Sequence, residues 1–327
     1  MTRRLCALGL LALSGLVPAS AQQINQPNAG SAIRVSVDRI NVGVTVTDSH
    51  GRSVQGLRRE DFHVFDNGVE QPISGFVRSE EPAQLVFLIE NSTADYFLAK
   101  LGKSPFAGAD NLLNNISAID QVAIVTYSQG AQLLLDFTPD KAAVGVALQS
   151  ASTESGSGWV NLSSSLAATI DWLASVPGTK IILILSTGLD TSPPESWQLV
   201  QQKLKTSDVR ILAVSLFGDF RQLPRNKKLS PDERESRLVV NQGVTESDVL
   251  LRQLSAATGG HAYFPKNPKD FDRAYGEIAQ LVRGQYTLEF VPPAFDGQVH
   301  SLKIKTKHFW YHADHRPAYI APARPSL

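Results

Sequence analysis

Four short apolar runs, Leu85–Ile89, Val122–Tyr127, Lys180–Leu185 and Val209–Leu216, most constrain what this chain can fold into. Each run is near-continuous rather than alternating, so a strand built from it has no polar face to turn toward water. Such strands need cover on both faces, as in a parallel sheet with helices above and below. The segments between them carry a helical period. Leu162, Leu166, Ile170 and Leu173 fall on one helical face, and so do Phe271, Ala274, Tyr275, Ile278 and Leu281. Thr138 before Pro139-Asp140, Ser192 before Pro193-Pro194 and Asn267 before Pro268 read as helix starts, and Gly259-Gly260 reads as a helix stop. Strands alternating with helices predict an α/β fold, a doubly wound and mostly parallel sheet over residues 83–283. Ala131–Phe137, after the turn Ser128-Gln129-Gly130, is expected to add an antiparallel edge strand.

On either side the period changes to two. Ile33, Val35 and Val37, then Ile40, Val42, Val44 and Val46, alternate as strand residues do. Asp61–Phe65 reads as another strand, ended by the turn signal Asp66-Asn67-Gly68, and Ile73 with Phe76-Val77 as one more. After Gly284, Tyr286, Leu288 and Phe290 alternate, as do Leu302 and Ile304, with Tyr319-Ile320 as a last short strand. Neither the 33–80 segment nor the 284–323 segment can bury a sheet face alone. They are expected to pair into a small β-sandwich flanking the α/β unit. The irregular stretch 217–248, with blocks Arg221, Arg225, Lys227, Lys228 and Asp232, Glu233, Glu235, reads as a solvated loop or a docking element.

Residues 1–21 read as a secretory signal peptide: Arg3 and Arg4, an apolar Leu5–Val17 short of a membrane span, then the small-residue site Ala19-Ser20-Ala21. A Sec-type signal fits better than twin-arginine export, and better than a membrane anchor. Residues 22–32 read as a polar linker. The expected mature chain is exported, periplasmic or extracellular, with no membrane span. Cys6 is the only cysteine, so that mature chain has no disulfide, thiolate zinc site or cysteine nucleophile. A net charge of +0 gives no global field for nucleic acid or an anionic membrane.

The stretch Leu85-Val86-Phe87-Leu88-Ile89-Glu90-Asn91-Ser92-Thr93-Ala94-Asp95 runs from a buried strand into a small-residue turn. With the leader Val44-Thr45-Val46-Thr47-Asp48, Gly51, Val54-Gln55-Gly56-Leu57, Glu60-Asp61-Phe62 and Asp66-Asn67-Gly68, it resembles von Willebrand factor A-type domains, and most closely an acidobacterial-type subgroup of secreted A-domain-related proteins. Thr258-Gly259-Gly260-His261-Ala262-Tyr263-Phe264 and Gly284-Gln285-Tyr286 continue that resemblance over nearly the whole expected mature chain. The resemblance implies a metal-ion-dependent adhesion site: Asp-x-Ser-x-Ser after the first strand, a Thr on a later loop and an Asp after the fourth strand, together holding Mg²⁺ or a similar hard cation. Here Glu90 stands at the first position, Ser92 at the second and Ala94 at the third. Val160 or Asn161 aligns with the loop Thr, and Thr187 with the late Asp. Ala94 and Val160 put carbon where oxygen is needed, and Glu90 reaches farther than Asp, whereas Mg²⁺ demands near-octahedral oxygen ligands. No functional metal is therefore expected and the site reads as degenerate. Asp95, Asn161, Asp190 and the hydroxyls of Ser163-Ser164-Ser165 are possible substitutes if a divalent cation binds after all.

His308, His312 and His315 invite a zinc reading. At strand spacing His308 and His312 stand about 13 Å apart and His315 faces away, so solvated strand residues are the better reading. Phe309, Trp310 and Tyr311 read as sandwich core, with a partner surface as the alternative. Ser92 sits in no nucleophile elbow, and Gly156-Ser157-Gly158 leads to no phosphate-loop lysine. The expected function is a non-enzymatic module that recruits a protein partner, without a metal, through the carboxyl end of its sheet and the 217–248 stretch. A metal-dependent adhesion domain is the alternative, and a hydrolase the remote one.

Overall fold

The computed structural model of the protein describes residues 39–49, 52–78, 82–92, 106, 108–151, 159–217 and 231–323, with backbone alone over 231–240 and at 283 and 285. The expected signal peptide, the linker, the 33–37 strand, Ala94, Asp95 and residues 218–230 lie outside them. Strands β1 (Ile40–Thr47), β2 (Phe62–Asp66), β3 (Val69–Gln71) and β4 (Ile73–Arg78) come first. The alternating region is β5 (Ala83–Glu90), α1 (Ala109–Asn115), β6 (Gln121–Tyr127), β7 (Ala131–Thr138), α2 (Lys141–Ala151), α3 (Leu162–Leu173), β8 (Thr179–Ser186), α4 (Glu195–Thr206), β9 (Arg210–Ser215), α5 (Pro231–Ala257), β10 (Ala262–Tyr263) and α6 (Pro268–Arg283). Strands β11 (Gln285–Phe290), β12 (Val299–Thr306), β13 (His312–Asp314) and β14 (Ala318–Ile320) follow. No helix among the described residues is long and apolar enough to cross a membrane.

The central sheet has the order β10-β9-β8-β5-β6-β7 and is parallel except for β7, which runs antiparallel along β6 at the edge. Its strands are buried throughout because each face has its own helical cover. Leu85, Phe87 and Ile89 of β5 pack with Leu112 of α1, Leu148 of α2 and Tyr275 and Ile278 of α6. Val86 and Leu88 point the other way, to Leu162 and Leu166 of α3, Val200 of α4 and Leu251 of α5. Consecutive apolar residues on a strand thus serve two separate cores.

Strand β5 lies between β6 and β8, and the chain leaves it in one direction and returns on the other side. Helix α1, after β5, covers one face, while α4, after β8, covers the other. The carboxyl ends of β5 and β8 therefore flank a topological switch point, where an open α/β sheet leaves a crevice.

Two antiparallel sheets, β13-β1-β11-β4 and β14-β12-β2-β3, interleave strands from both ends of the described chain. Val42, Val44, Phe62, Val64, Tyr286, Phe290, Ile304 and Tyr319 form one buried cluster across them. Asn67 and Gly68 both have positive φ, the backbone of a two-residue β2–β3 turn. These sheets attach at the amino ends of the parallel strands. Arg210, the first residue of β9, donates to the Thr45 hydroxyl and to the Asp314 carbonyl at 3.3 Å. Arg316 donates to the carbonyls of Ser207 at 2.9 Å and Asn41 at 2.7 Å. Burial lowers both guanidinium pKa values to about 10, so both stay charged at neutral pH. Gly259, at φ +71°, ends the α5 region where a Cβ would strike the His315 backbone.

Several local expectations change. Helix α2 is capped by Asp140, whose Oδ1 accepts from Ala142 and Ala143, and not by Thr138, whose hydroxyl accepts from Asp140 N. Ser192 does not cap α4, which opens at Pro194 without a side-chain cap; its hydroxyl serves the loop cluster described below. The 217–248 stretch is no loop from residue 231 onward: the 27-residue α5 occupies it and buries Val244 and Leu251. The corner 307–311 is not core, since Phe309 is 90% exposed and Trp310 51%, and Tyr311 alone of the three packs on the cluster.

Inside the antiparallel layers, buried His300 lies between two carboxylates. Its Nδ1 meets Asp66 Oδ1 at 2.8 Å and its Nε2 meets Asp296 Oδ2 at 3.3 Å, while Tyr319 OH donates to Asp66. The Asp66 hydrogen bond raises the His300 pKa above the ordinary 6.5, against desolvation. A raised folded pKa gives stability that is complete below 6.5 and is lost as pH rises through the folded value. Thermal melts should therefore lose stability on the alkaline side of 6.5, and His300→Gln should flatten that slope; an unchanged slope would rule out His300 as its source.

Candidate functional site

The first polar side chains beyond the apolar runs of neighbouring parallel strands come together at the switch point. Glu90 ends β5, Tyr127 ends β6 in direct register with it, and Ser186 ends β8 one residue beyond the Ile89–Leu185 pair. Glu90 is 1% exposed. Ser92 Oγ donates to Glu90 Oε1 at 2.7 Å, and Ser186 Oγ donates to Oε2 at 2.7 Å. Thr187 N donates to Oε2 at 2.8 Å, and Thr187 Oγ1 lies 2.9 Å from both carboxyl oxygens.

The donors are themselves oriented. Ser186 Oγ accepts from Tyr127 OH at 2.8 Å and from Gly188 N at 2.8 Å, which leaves its own hydrogen for Glu90. Thr187 Oγ1 accepts from Leu189 N at 3.2 Å, which fixes its hydrogen in the same way. Burial pushes the Glu90 carboxyl above its ordinary 4.5, while hydrogen bonds from Ser92, Ser186 and Thr187 pull it back without cancelling the rise. No cationic side chain is among the groups that act on it.

A second cluster stitches the loop before α3 to the loop after β8. Asn161 caps α3 by accepting from Ser164 N at 3.1 Å and also accepts from Ser192 Oγ at 2.9 Å. Ser163 Oγ donates to Ser192 Oγ at 2.7 Å. Asp190 Oδ1 accepts from Leu162 N at 3.2 Å, Ser192 N at 3.1 Å and the Ser192 hydroxyl. Val160 joins the loops through its backbone, with Thr191 N donating to its carbonyl at 2.7 Å, while its side chain lies in the core under α3.

The structure thus gathers Glu90, Ser92 and Thr187 around one carboxylate and places Asn161, Ser163 and Asp190 in a separate network. Ser186 and Tyr127 were missed as site residues in the sequence, although each closes an apolar run beside the run that Glu90 closes. His308, His312 and His315 do not assemble: among the described residues no group of three histidine, cysteine or acidic side chains could hold a metal. His315 instead accepts from Ile304 N at Nε2, 2.9 Å, and burial lowers its pKa, which suits a neutral structural imidazole.

The residues around Glu90 do not fit the Mg²⁺ site that the resemblance implies. The backbone N–H of Thr187 donates to Oε2 and so occupies an oxygen lone pair that a metal ligand would have to offer to the cation. Both carboxyl oxygens already receive donors, Val160 offers a buried isopropyl group, and among the described residues no second carboxylate joins the cluster.

No protein-family model matches this sequence, and no curated protein sequence matches it. Solved structures similar to it include a von Willebrand factor type A protein from Catenulispora acidiphila, 13% identical, with 83% of this chain and 75% of that chain covered and a TM-score of 0.48. An aerotolerance-related membrane protein from Bacteroides fragilis is 14% identical over 61% of this chain and 98% of its own, with a TM-score of 0.44. The conserved hypothetical protein BatB from Bacteroides thetaiotaomicron is 11% identical over 62% and 99%, with a TM-score of 0.39.

Glu90→Ala should remove the shared acceptor of three hydroxyls and one N–H and cost about 2–4 kcal/mol in urea unfolding. Thr187→Val should cost about 1–3 kcal/mol. Glu90→Gln keeps the shape and lets the hydroxyls rotate. It should remain folded and remove a stability component that wild type has below pH 4.5 and loses as pH rises through the higher folded pKa. A neutral effect of Glu90→Ala would show that the cage carries no stability.

Proposed function

We propose that the chain is an exported, non-enzymatic protein-binding module of von Willebrand factor A type whose adhesion-type site works without a metal. The single observation that supports this is the Glu90 carboxylate, buried at the switch point and already answered by Ser92, Ser186 and Thr187. In a metal-dependent site the cation organises the loops after the strands and leaves a position open for a partner's carboxylate. Here a resident carboxylate takes the organising role. It draws the β5 turn and the β8 turn together through hydrogen bonds, so the loops hold one arrangement with no ion.

The docking surface in this reading is the carboxyl end of the central sheet. Exposed Trp159 and Leu189 stand next to Val160 and Thr187–Asp190 there, the kind of aromatic and aliphatic anchors that interface centres use. The two antiparallel sheets act in this reading as a β-sandwich that holds the domain from the opposite end. Ser92 is a buried donor to Glu90 rather than a nucleophile with a base and an open face. Export rests on the 1–21 segment and leads to the periplasm or the exterior.

One observation favours the metal-dependent alternative: Asp190 Oδ2 is buried without a hydrogen-bond partner, beside the hydroxyls of Ser163 and Ser192. Calorimetric titration of the protein with Mg²⁺, Mn²⁺ and Ca²⁺ separates the readings. The metal-free reading expects no saturable heat; a saturable isotherm abolished by Ser92→Ala or Asp190→Asn would replace it with the alternative.

A further inference from the structure

The corner between β12 and β13 crosses from one antiparallel sheet to the other, and it leaves two adjacent aromatic side chains, Phe309 and Trp310, in water. Phe309 and Trp310 meet edge to face with ring centroids 4.9 Å apart, and His308 lies 5.0 Å from the Trp310 ring. The corner is held firmly from behind. Lys307 N donates to the Asp61 carbonyl at 2.8 Å, the Thr306 hydroxyl donates to the His308 carbonyl at 2.8 Å, and Tyr311 packs on the β cluster. Two bulky aromatics are thus presented to solvent by a braced turn.

The strand leading into this corner alternates strictly. Leu302 and Ile304 point into the core, so Lys303 and Lys305 point out, and exposed Lys307 continues the row. Lys305 Nζ lies 5.0 Å over the half-buried Phe65 ring, and no carboxylate of a described residue pairs with any of the three lysines. The row has about 7 Å between successive lysines and ends at the aromatic pair. A protein pocket that accepted the two rings would have to answer three ammonium groups along one line as well, none of them paired with a carboxylate of a described residue. A lipid surface meets both demands at once: rings settle at the headgroup level, and lysines extend along the surface to lipid phosphates. The neutral net charge means that the attraction is local to this row rather than a field of the whole molecule.

We propose that the 307–311 corner is a contact point for an anionic membrane surface, with Phe309 and Trp310 entering the headgroup region and Lys303, Lys305 and Lys307 meeting the lipid phosphates. The contact is peripheral and reversible. It uses the antiparallel layers, so the carboxyl end of the parallel sheet stays free for a partner, and it does not depend on the reading of that site.

The test is co-sedimentation of the full chain with phosphatidylcholine vesicles and with vesicles of equimolar phosphatidylcholine and phosphatidylglycerol. Wild type should bind the anionic vesicles preferentially, and salt should weaken the binding. Phe309→Ser with Trp310→Ser should lower the partition coefficient by about ten-fold, and Lys303→Gln with Lys305→Gln and Lys307→Gln by roughly 100-fold. All five positions are exposed, and unchanged circular dichroism confirms that the fold is intact. Quenching of Trp310 by brominated lipid, absent in Trp310→Phe, places the ring in the bilayer. The proposal is overturned if neither vesicle binds, if both bind equally, or if both multiple variants bind like wild type, as they would were residues 5–17 alone responsible. A change in sedimentation coefficient in the aromatic variant, with vesicle binding intact, would assign the corner to a second copy of the chain instead.

Discussion

A carboxyl group buried at the head of the central sheet, with no cationic side chain among the groups that act on it, has to be satisfied by hydroxyl and amide hydrogens or it would not remain in the fold. Glu90 imposes that demand, and the surrounding residues are arranged to meet it. Ser92 turns back on it immediately after β5. Ser186 and Thr187 reach it from the end of β8, and Tyr127 and the Gly188 amide hold the Ser186 oxygen so that its hydrogen points the right way. Because these groups come from three strands that are side by side but far apart in sequence, the carboxylate ties the two loops that diverge at the switch point. Its elevated pKa reflects the cost of that position: desolvation outweighs the hydrogen bonds.

The rest of the molecule separates its tasks by position along the parallel strands. At their carboxyl ends lie the Glu90 cage and the Asn161–Asp190 stitching. At their amino ends, Arg210 and Arg316 fasten the antiparallel sheets through Thr45 and the carbonyls of Asp314, Ser207 and Asn41. Guanidinium groups suit that junction because each can reach several acceptors and stay charged when buried. Loops at the far end can therefore vary without disturbing the attachment of the β layers.

Much of this was legible in the sequence. Continuous apolar runs identified strands covered on both faces, and strict alternation at Leu302 and Ile304 identified a strand with one wet face. Asn267 before Pro268 marked a real cap, accepting from Asp270 N at 3.1 Å. Where reading failed, a tertiary partner had won over a local signal. Ser192 resembles a cap but is claimed by Asn161 and Asp190. The charged blocks near residue 231 suggested a loop, yet the apolar spacing of Val244, Leu251 and Leu254 carries one long helix. Aromatic residues 309–311 looked like core because hydrophobicity says nothing of a corner that leaves the sheet. At the site, Glu90, Ser92 and Thr187 could be aligned by motif. Ser186 and Tyr127 could not, because their role follows from strand register, which one sequence does not display.

The most direct test of a carboxylate cage in place of a metal is crystallography with manganese. Crystals of the protein grown in excess Mn²⁺ and measured at a wavelength where manganese scatters anomalously should show no peak within bonding distance of Glu90, with its oxygens still held by Ser92, Ser186 and Thr187. A full-occupancy anomalous peak bonded to Glu90, with the Ser92 and Thr187 hydroxyls turned toward it, would contradict the account.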